Sequence, residues 1–366
     1  MKLVLTLLAR DEADIVDAQI AFHLNAGVDF VVATDNRSQD GTTEILESYA
    51  REGYLHLIRE DGDDLRMGEW VTRMARMAAA DFSADWVINS DADEFYWPRG
   101  SDLKEMLAAI PSRYGLVRAF VRTFLPRLDD DVFFAEAMTV RLTPQAPMNH
   151  PATIFRPGAK LVHRADPNVN VGHGTHTLSG TSLVPLRGWY PLELLHFPFR
   201  TARQSERKLR HAWSSWQRNP DSDKPHYLEQ GYAAIREGRL RDFLGTFTVD
   251  DQKLARGLAE DSLVVDKRLR DALRALRADA DGTPRFRLPT EGPPLEITPP
   301  DLADDARYAV DAAVLDEADV TRLQRHVDEL EARLTLLERH RLGGLPAALG
   351  RRATRILARG GPVREG

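Results

Sequence analysis

The stretch DWVINSDADEF, at residues 85–95, decides the fold and raises the functional question. Its first half is an apolar run typical of a strand that is buried on both faces. Its second half carries three carboxylates, Asp91, Asp93 and Glu94. Like charges this close repel by about 2–4 kcal/mol per pair at an effective dielectric constant of about 20. We therefore expect a partner that offsets the repulsion at the exit of this strand.

Three further apolar runs precede this stretch, and segments with helical spacing of apolar residues lie between the runs. The predicted strands are residues 2–8, 29–34, 54–58 and 85–90, and the predicted helices lie around residues 15–22, at 43–52 and at 68–80. Strands that alternate with helices of this length predict βαβ units in a mostly parallel sheet.

The pattern changes after residue 95. The β-type runs at 115–124 and 131–142 have no helix between them, which predicts an antiparallel or mixed extension of the sheet. The elements predicted beyond them are short strands around 153–164 and 191–199 and helices at about 202–217, 226–238 and 251–277.

The composition excludes several classes of protein. Hydrophobic residues make up 43% of the 366 residues, as in a globular protein, and the formal net charge of -7 gives no general attraction to nucleic acid. The chain has no cysteine, which excludes disulfides and thiolate chemistry and fits a reducing compartment. The first apolar run is too short for a signal peptide, and no apolar run reaches the length of a membrane span. We predict a cytoplasmic protein without a transmembrane helix.

The C-terminal region has its own pattern. A seam of apolar residues with alternating spacings of three and four predicts a helix that forms a coiled-coil homodimer or packs back on the body; the seam is Val320, Leu323, Val327, Leu330, Leu334 and Leu337. The tail beyond it carries Arg351, Arg352, Arg355 and Arg359, which indicates either a basic helix on the inner face of the membrane or a solvated tail.

Asp91 and Asp93 are two residues apart, so in an extended chain both side chains point to the same side. Carboxylates converging on one point suit Mg²⁺ or Mn²⁺, which complete their shells with water and substrate phosphates. The ligand site of an open α/β sheet lies outside the carboxyl ends of its strands, and this pair follows the fourth strand. A divalent cation is the partner that these carboxylates predict.

Similar polar loops follow the other strands: ARDE at 9–12 and DNRSQDGT at 35–42. With WVINSDADEF after the fourth strand, these motifs make the chain resemble the family 2 glycosyltransferases of the GT-A fold, and more narrowly a bacterial group with RDE, DNxSxDGT and DADEF motifs. The resemblance is strong over residues 1–100 and looser over 100–215. It implies an α/β fold with a mostly parallel central sheet, helices on both faces and a C-terminal helical extension.

The resemblance divides the chain into five parts, with the two halves of one catalytic domain first. They are a nucleotide-sugar-binding half (1–100), an acceptor-side half with a helical end (101–277), a Pro- and Gly-rich linker or strap (278–316), a coiled-coil-like helix (317–342) and a basic tail (343–366).

The resemblance also implies roles for single residues. Asp35 accepts a hydrogen bond from the base of the donor nucleotide, and Arg10 and Glu12 line the same pocket. Asn36 shapes the loop, and Arg73 faces the diphosphate, although a plain surface arginine is the alternative. Ser38 and Asp40, in the same loop, have a helix-capping turn as their alternative role.

Asp91 and Asp93 then hold the metal ion and Asp91 also contacts the donor, and a late histidine completes the shell. His196 and His176 stand in matching contexts, and a structural histidine is the alternative for both. Arg200 and Lys208 are expected to hold phosphate.

Family 2 enzymes invert the anomeric centre, which requires a carboxylate base for the acceptor hydroxyl. The family's aspartate motif has no clear counterpart in this chain, so Glu94, Asp166 and Glu193 are all candidates.

The resulting prediction is an inverting glycosyltransferase that uses Mn²⁺ or Mg²⁺ and a UDP- or GDP-linked sugar. Its acceptor is a glycan or a lipid-linked molecule in cell-surface polysaccharide synthesis. A sugar nucleotidyltransferase is the first alternative, but it usually has a Gly-rich phosphate loop after its first strand, where this chain has LLARDEAD. A non-catalytic GT-A domain that acts as a binding or scaffold module is the second.

Overall fold

The structure is a computed structural model that describes residues 1–62, 66–128, 131–143, 155, 158–218, 226–280, 283–298, 310, 312, 313, 320, 324 and 327–335. Met1–Leu315 form one compact unit, and Asp316–Gly366 belong to a second. Each is described by itself.

The first unit contains strands and helices over most of its length. The strands are β1 (Leu3–Ala9), β2 (Phe30–Asp35), β3 (Leu55–Arg59), β4 (Trp86–Asp91), β5 (Glu94–Pro98), β6 (Leu116–Thr123), β7 (Val140–Leu142), β8 (Ala159–Arg164), β9 (Asn170–Val171), β10 (Leu178–Ser179), β11 (Leu192–His196), β12 (Leu263–Val265), β13 (Arg277–Ala280) and β14 (Thr283–Phe286). The helices are α1 (Val16–Asn25), α2 (Thr42–Arg51), α3 (Met67–Ala80), α4 (Leu103–Ala108), α5 (Phe134–Ala137), α6 (Ala202–Arg218), α7 (His226–Arg236), α8 (Leu240–Gly245), α9 (Asp251–Ala259) and α10 (Arg268–Leu276).

The central sheet has the strand order β3-β2-β1-β4-β8-β6-β11-β5. The first four strands are parallel, with Leu8 opposite Asp91 and Ala9 opposite Asp35. β8 runs antiparallel between β4 and β6, β11 is parallel to β6, and β5 closes the far edge antiparallel to β11. The predicted α/β class, with a mostly parallel sheet and a mixed extension, is confirmed.

Helices cover both faces of this sheet. Alternate residues of β1 enter two separate apolar clusters: Leu5 packs in the cluster that contains Phe22 of α1, and Val4 packs in the cluster that contains Trp70 and Met74 of α3. Burial on both faces explains why β1 reads as a continuous apolar run.

The link between β4 and β5 forces the sheet to curl. These strands are four positions apart in the sheet, which in a flat sheet is about 19 Å at about 4.8 Å per strand. Only Ala92 and Asp93 separate them in the chain, and three Cα steps span at most about 11 Å. The far edge of the sheet therefore bends back to the end of β4, and the acidic turn lies where the two meet.

Two predicted elements are wrong. Residues 131–142 contain helix α5 before strand β7, because Phe134, Ala135 and Met138 are buried together at helical spacing. Residues 251–277 are not one helix, since the β-branched Val264 and Val265 of β12 pair with β7 instead.

The Pro- and Gly-rich segment after α10 lies against the body as far as the structure describes it. Leu288 and Leu295 join the main apolar cluster, and the carbonyl of Thr298 accepts a hydrogen bond from the indole of Trp97 (3.1 Å). These contacts hold the segment against the body at Leu288, Leu295 and Thr298.

In the second unit, residues 327–335 are helical. Val320, Val327, Leu330 and Leu334 of the apolar seam are exposed, at 44–65% of their surface. Leu323, Leu337 and the arginine-rich tail lie outside the described residues. Within the described residues, no helix is long and apolar enough to cross a membrane.

Candidate active site

The parallel strands bring three polar loops to one edge of the sheet. The last residues of β2 and β4, Asp35 and Asp91, flank the end of β1, which leads into Arg10 and Glu12. On the other side, the last residue of β11, His196, pairs with Glu94 at the start of β5. Residues more than 180 positions apart in the sequence thus meet at one place.

The loops after β1 and β2 are joined by hydrogen bonds. The carboxylate of Asp35 is buried and accepts from the Ser38 amide (3.1 Å), the Ser38 hydroxyl (2.6 Å) and the Thr43 hydroxyl (2.5 Å). Asp40 accepts from the amide of Ala13 (3.2 Å) and the hydroxyl of Thr42 (2.6 Å). Both aspartates therefore build the loop, and the donor contact of Asp35 stays a prediction.

Asn36 connects this loop with the end of β3. Its amide nitrogen donates to the carbonyls of Glu60 (3.2 Å) and Gly62 (2.9 Å), and its oxygen accepts from Arg10 (2.9 Å). Arg73 pairs with the carboxylate of Glu60 (2.5 Å). Arg73 also lines an open groove of about 460 Å³ along α3, so its described contacts are with this side of the molecule rather than with the acidic turn.

The acidic turn contains a cation that the sequence analysis did not single out. The ammonium of Lys160, on β8, lies 2.8 Å from Asp91 Oδ2 and 2.5 Å from Glu94 Oε1. Glu94 also accepts from the backbone amide of Asp91 (3.0 Å). Burial would lower the pKa of Lys160, but the charges of Asp91 and Glu94 outweigh it and raise the pKa. Lys160 is therefore a charged group in the floor of the site.

The turn also contains a set of groups that fits a metal ion. One ligand atom from each of Asp93, Glu94 and His196 lies within 4.8 Å of the others, and His196 Nε2 is 3.7 Å from Asp93 Oδ1. Burial lowers the pKa of His196 to about 4, although Asp93 opposes it, so the imidazole is neutral at pH 7 and keeps its lone pair. Two carboxyl groups and a neutral imidazole are suitable ligands for a divalent cation.

The two carboxyl groups of this set have different environments. Burial raises the pKa of Glu94 to about 8, with Asp91 and Asp93 adding to the effect and Lys160 opposing it. For Asp93, the charges of Lys208 and Arg200, and of His196 once acid has protonated it, overcome burial and hold the pKa of Asp93 below the usual range. Asp93 is ionised and Glu94 binds a proton readily.

Arg200 connects the β1 loop with the segment that follows β11. Its buried guanidinium donates twice to Asp14 (2.7 and 2.9 Å), and it also pairs with Glu12. Burial raises the pKa of Glu12 to about 7 against the opposing charges of Arg200 and Lys208. Arg200 holds acidic groups in the structure, so its predicted contact with phosphate has no direct support here.

Helix α6 crosses the same edge and presents two cations and a histidine to the loops from three strands. The pairs are Arg207–Asp40 (3.4 Å), Lys208–Asp93 (2.5 Å) and His211–Asp11 (3.5 Å). Arg207 and Lys208 therefore supply positive charge on one side of the site, and the carboxylates of the strand ends supply negative charge on the other.

Two predicted site residues lie elsewhere, which corrects their assignment as candidate bases. Asp166 follows β8, whose last residue pairs with Trp86 at the start of β4, so Asp166 lies at the opposite edge of the sheet from Asp91. Glu193 is buried and paired with Arg122 (2.7 Å) and Arg268 (2.8 Å), whose charges overcome burial and hold its pKa well below the usual range. Of the three candidate bases, only Glu94 lies at the acidic turn, and its role as a base stays a prediction.

His176 lies next to β8. Its Nδ1 is 2.9 Å from the carbonyl oxygen of Ala159, the neighbour of Lys160. It does not belong to the group of possible metal ligands found among the described residues. Its place in a metal shell stays a prediction.

Comparisons with solved structures return glycosyltransferases at low similarity. Residues 1–349 of S. aureus TarS are 12% identical, with a TM-score of 0.32 over 81% of this chain and 99% of that one. The same fragment in complex with UDP-GlcNAc has a TM-score of 0.34. Glucosyl-3-phosphoglycerate synthase from Mycobacterium tuberculosis, in complex with Mn²⁺, UDP and glucosyl-3-phosphoglycerate, is 19% identical, with a TM-score of 0.24 over 33% of this chain and 44% of that one.

At these identities and scores, the likenesses assign no activity to this chain. No protein-family model matches the sequence, and no curated protein matches it significantly.

Proposed function

We propose that this protein is a metal-dependent glycosyltransferase that moves a sugar from a nucleoside diphosphate to an acceptor hydroxyl. The observation that carries the proposal is the group formed by Asp93, Glu94 and His196 at the carboxyl edge of a parallel sheet, where ligands of α/β sheets bind. Asp91 and Lys208 adjoin this group. A nucleoside diphosphate needs such a mixture of metal ligands and cations.

Asp93 and His196 would hold the divalent ion, with Glu94 as the third ligand. When bound, the ion would neutralise the charge that builds up on the leaving diphosphate. Because the set includes an imidazole, we favour Mn²⁺ over Mg²⁺, which prefers oxygen ligands and water.

The protein's own groups would bind and orient the donor. The side chain of Asp91 is 29% exposed and its Oδ2 accepts a hydrogen bond from Lys160, so Asp91 would contact the donor from the accessible side of the site. Lys208 and Arg207 on α6 stand where a diphosphate would bring negative charge. Arg10 and Asn36 border the same loops and would contact the nucleoside.

Inversion by a single displacement belongs to the same proposal. Glu94 would act as its base only while it does not hold the ion, because a carboxylate bound to a divalent cation loses its affinity for protons. The proposal also includes two kinds of partner. The first is a lipid-linked or glycan acceptor. The second is another copy of the chain, paired through the apolar seam, and the exposure of Val320, Val327, Leu330 and Leu334 supports this pairing.

Calorimetric titration with nucleoside diphosphates, with and without Mn²⁺, tests the proposal. We expect one of UDP or GDP to bind at least about tenfold more tightly when Mn²⁺ is present, because an ion held by Asp93, Glu94 and His196 would attract the diphosphate. The matching nucleotide-sugar should then be hydrolysed slowly in the absence of an acceptor. Equal affinities with and without Mn²⁺ for every nucleotide, and no hydrolysis, would leave a non-catalytic binding module as the better description.

A further inference from the structure

Lys160 stands in the position that a second cation would take among the three carboxyl groups. Its ammonium bridges Asp91 and Glu94, whereas the group that fits a metal ion combines Glu94 with Asp93 and His196. Glu94 is thus shared between a permanent cation and a prospective one. We propose that Lys160 is a positioning residue that competes with the divalent ion for Glu94 and confines the ion to the side of Asp93 and His196.

The position of Lys160 in the sheet makes this cation permanent. β8 lies between β4 and β6, and the Lys160 side chain is only 6% exposed. The Glu94 side chain is only 2% exposed, so water could not replace the ammonium as its partner. Withdrawing the ammonium would leave two buried polar groups without their partner, which costs several kcal/mol. The ion therefore has to bind in the presence of Lys160.

The charges of the site also support the role of Lys160 as the second cation. Three carboxyl groups face two ammonium groups, those of Lys160 and Lys208, and the guanidinium of Arg200 adds a further positive charge near Asp93. Two divalent ions would therefore put a large excess of positive charge at the turn. Two ions usually sit about 3.5–4 Å apart across shared carboxylates. The bridge that Lys160 forms between Asp91 and Glu94 fills that second place.

The consequence is a metal site with moderate affinity for the divalent ion alone. The ammonium of Lys160, hydrogen-bonded to Glu94, would repel an incoming divalent ion. The ion alone would therefore bind weakly, and its binding would become tighter once a diphosphate supplies further ligands. The inference rests on the proposed metal site, but it makes a separate prediction about the sign of one substitution. If Lys160 only holds the turn in shape, its loss weakens metal binding. If Lys160 competes with the ion, its loss strengthens metal binding.

The test is a titration of the full chain with Mn²⁺ alone, followed by calorimetry and by electron paramagnetic resonance of the free ion. We expect one Mn²⁺ per wild-type chain. Lys160→Met, which keeps the length of the side chain and removes the charge, should bind Mn²⁺ at least about tenfold more tightly. Lys160→Arg should behave as the wild type. Lys104→Met removes a surface lysine that pairs with Asp29 and should leave Mn²⁺ binding unchanged.

Weaker Mn²⁺ binding by Lys160→Met with an unchanged melting transition would overturn the proposal. So would two Mn²⁺ ions of similar affinity per wild-type chain, a measurement that decides the matter even if Lys160→Met does not fold. No Mn²⁺ binding by any of the variants would instead contradict the metal site itself, and the inference with it. The two failures are therefore distinguishable.

Discussion

Two clusters of ionisable side chains both combine carboxyl groups with cations but differ in their charge balance, and the pKa values of their buried glutamates shift in opposite directions. At the acidic turn, Asp91, Asp93 and Glu94 outnumber the ammonium groups of Lys160 and Lys208, and burial raises the pKa of Glu94 to about 8. The second cluster, which we call the arginine cluster, consists of Glu193, Asp266, Arg122, Arg141 and Arg268. Its cations outnumber its carboxylates, and the pKa values of both acids are lowered.

The difference separates a site that needs a ligand from one that does not. The paired guanidinium groups of the arginine cluster join β6, β7, β11 and the start of α10 through hydrogen bonds of 2.7–2.8 Å. Such a cluster is complete, and it stabilises the fold without a further partner. The acidic turn lacks positive charge, which a proton on Glu94 or a metal ion supplies. Charge balance, more than residue type, distinguishes the two roles.

A substitution in the acidic turn should have the largest effect, and it tests whether this cluster serves activity rather than stability. Asp93→Asn keeps the shape and removes the charge, and donor hydrolysis should fall by at least about 100-fold because the ion loses a ligand. The free energy of unfolding should not fall in parallel. The measurement is nucleotide-sugar hydrolysis together with a denaturant titration.

Asp166→Asn is the matched control, since it makes the same change at the opposite edge of the sheet and should leave hydrolysis unchanged. Full activity of Asp93→Asn, or of the wild type in excess EDTA, would refute the metal site.

The reverse outcome is expected for the arginine cluster. Arg268→Met leaves Glu193 and Asp266 short of a buried partner and should lower the free energy of unfolding by about 3–5 kcal/mol. Hydrolysis per folded molecule should stay near the wild-type value, because Arg268 makes no contact with the acidic turn. Urea denaturation and an active-site-normalised rate measure the two effects.

The control is Arg274→Met on the same helix, whose solvent-exposed pair with Glu136 should contribute little to stability. A large loss of activity with little loss of stability in Arg268→Met would place the arginine cluster in the active site.

The smallest expected effect concerns pH. The charges of Arg268 and Arg141 overcome burial and lower the pKa of Asp266 from 3.8 to about 2. A lowered folded-state pKa means that the stabilisation is complete above the unfolded pKa and is lost as pH falls. Asp266 should contribute about 2 kcal/mol at neutral pH, and this contribution should vanish between about pH 4 and pH 2.

Denaturation of the wild type and of Asp266→Asn over this range measures the contribution. The two stabilities should converge as the pH approaches 2, and curves that stay parallel would show that Asp266 is not linked to folding in this way.

Sequence patterns predicted the parallel half of the sheet well, because each of its elements carries its own local signal. β1, β2 and β4 are continuous apolar runs, and the loops after them contain the residues that meet at the sheet edge. The mixed half was less predictable, since helix α5 and strand β12 are short and depend on their neighbours. Element type in such segments is decided by tertiary packing.

The residues of the candidate site also differ in how far the sequence could predict them. The spacing after an apolar strand pointed to Asp91 and Asp93, and the structure brings His196 to Asp93. Asp91 is instead paired with Lys160 and is not part of the group formed by Asp93, Glu94 and His196. Lys160 was not predictable, because its role depends on the antiparallel pairing of β8 with β4. The same pairing places Asp166 at the opposite edge of the sheet from Asp91. A strand's direction cannot be read from its own residues, so neither outcome had a signal in the local sequence.

The curl of the sheet also has a consequence for folding. The pairing of β5 with β11 joins residues about 100 positions apart, and closing a loop of that length costs more entropy than any contact within the parallel half. Before this pair forms, the turn that carries Asp93 and Glu94 exists, but His196 is not beside it. A metal ion that bridges the turn and His196 would therefore bind the fully closed chain in preference to partly folded ones. It would raise the melting temperature in proportion to the logarithm of its concentration, so that occupancy of the site would report completion of the sheet.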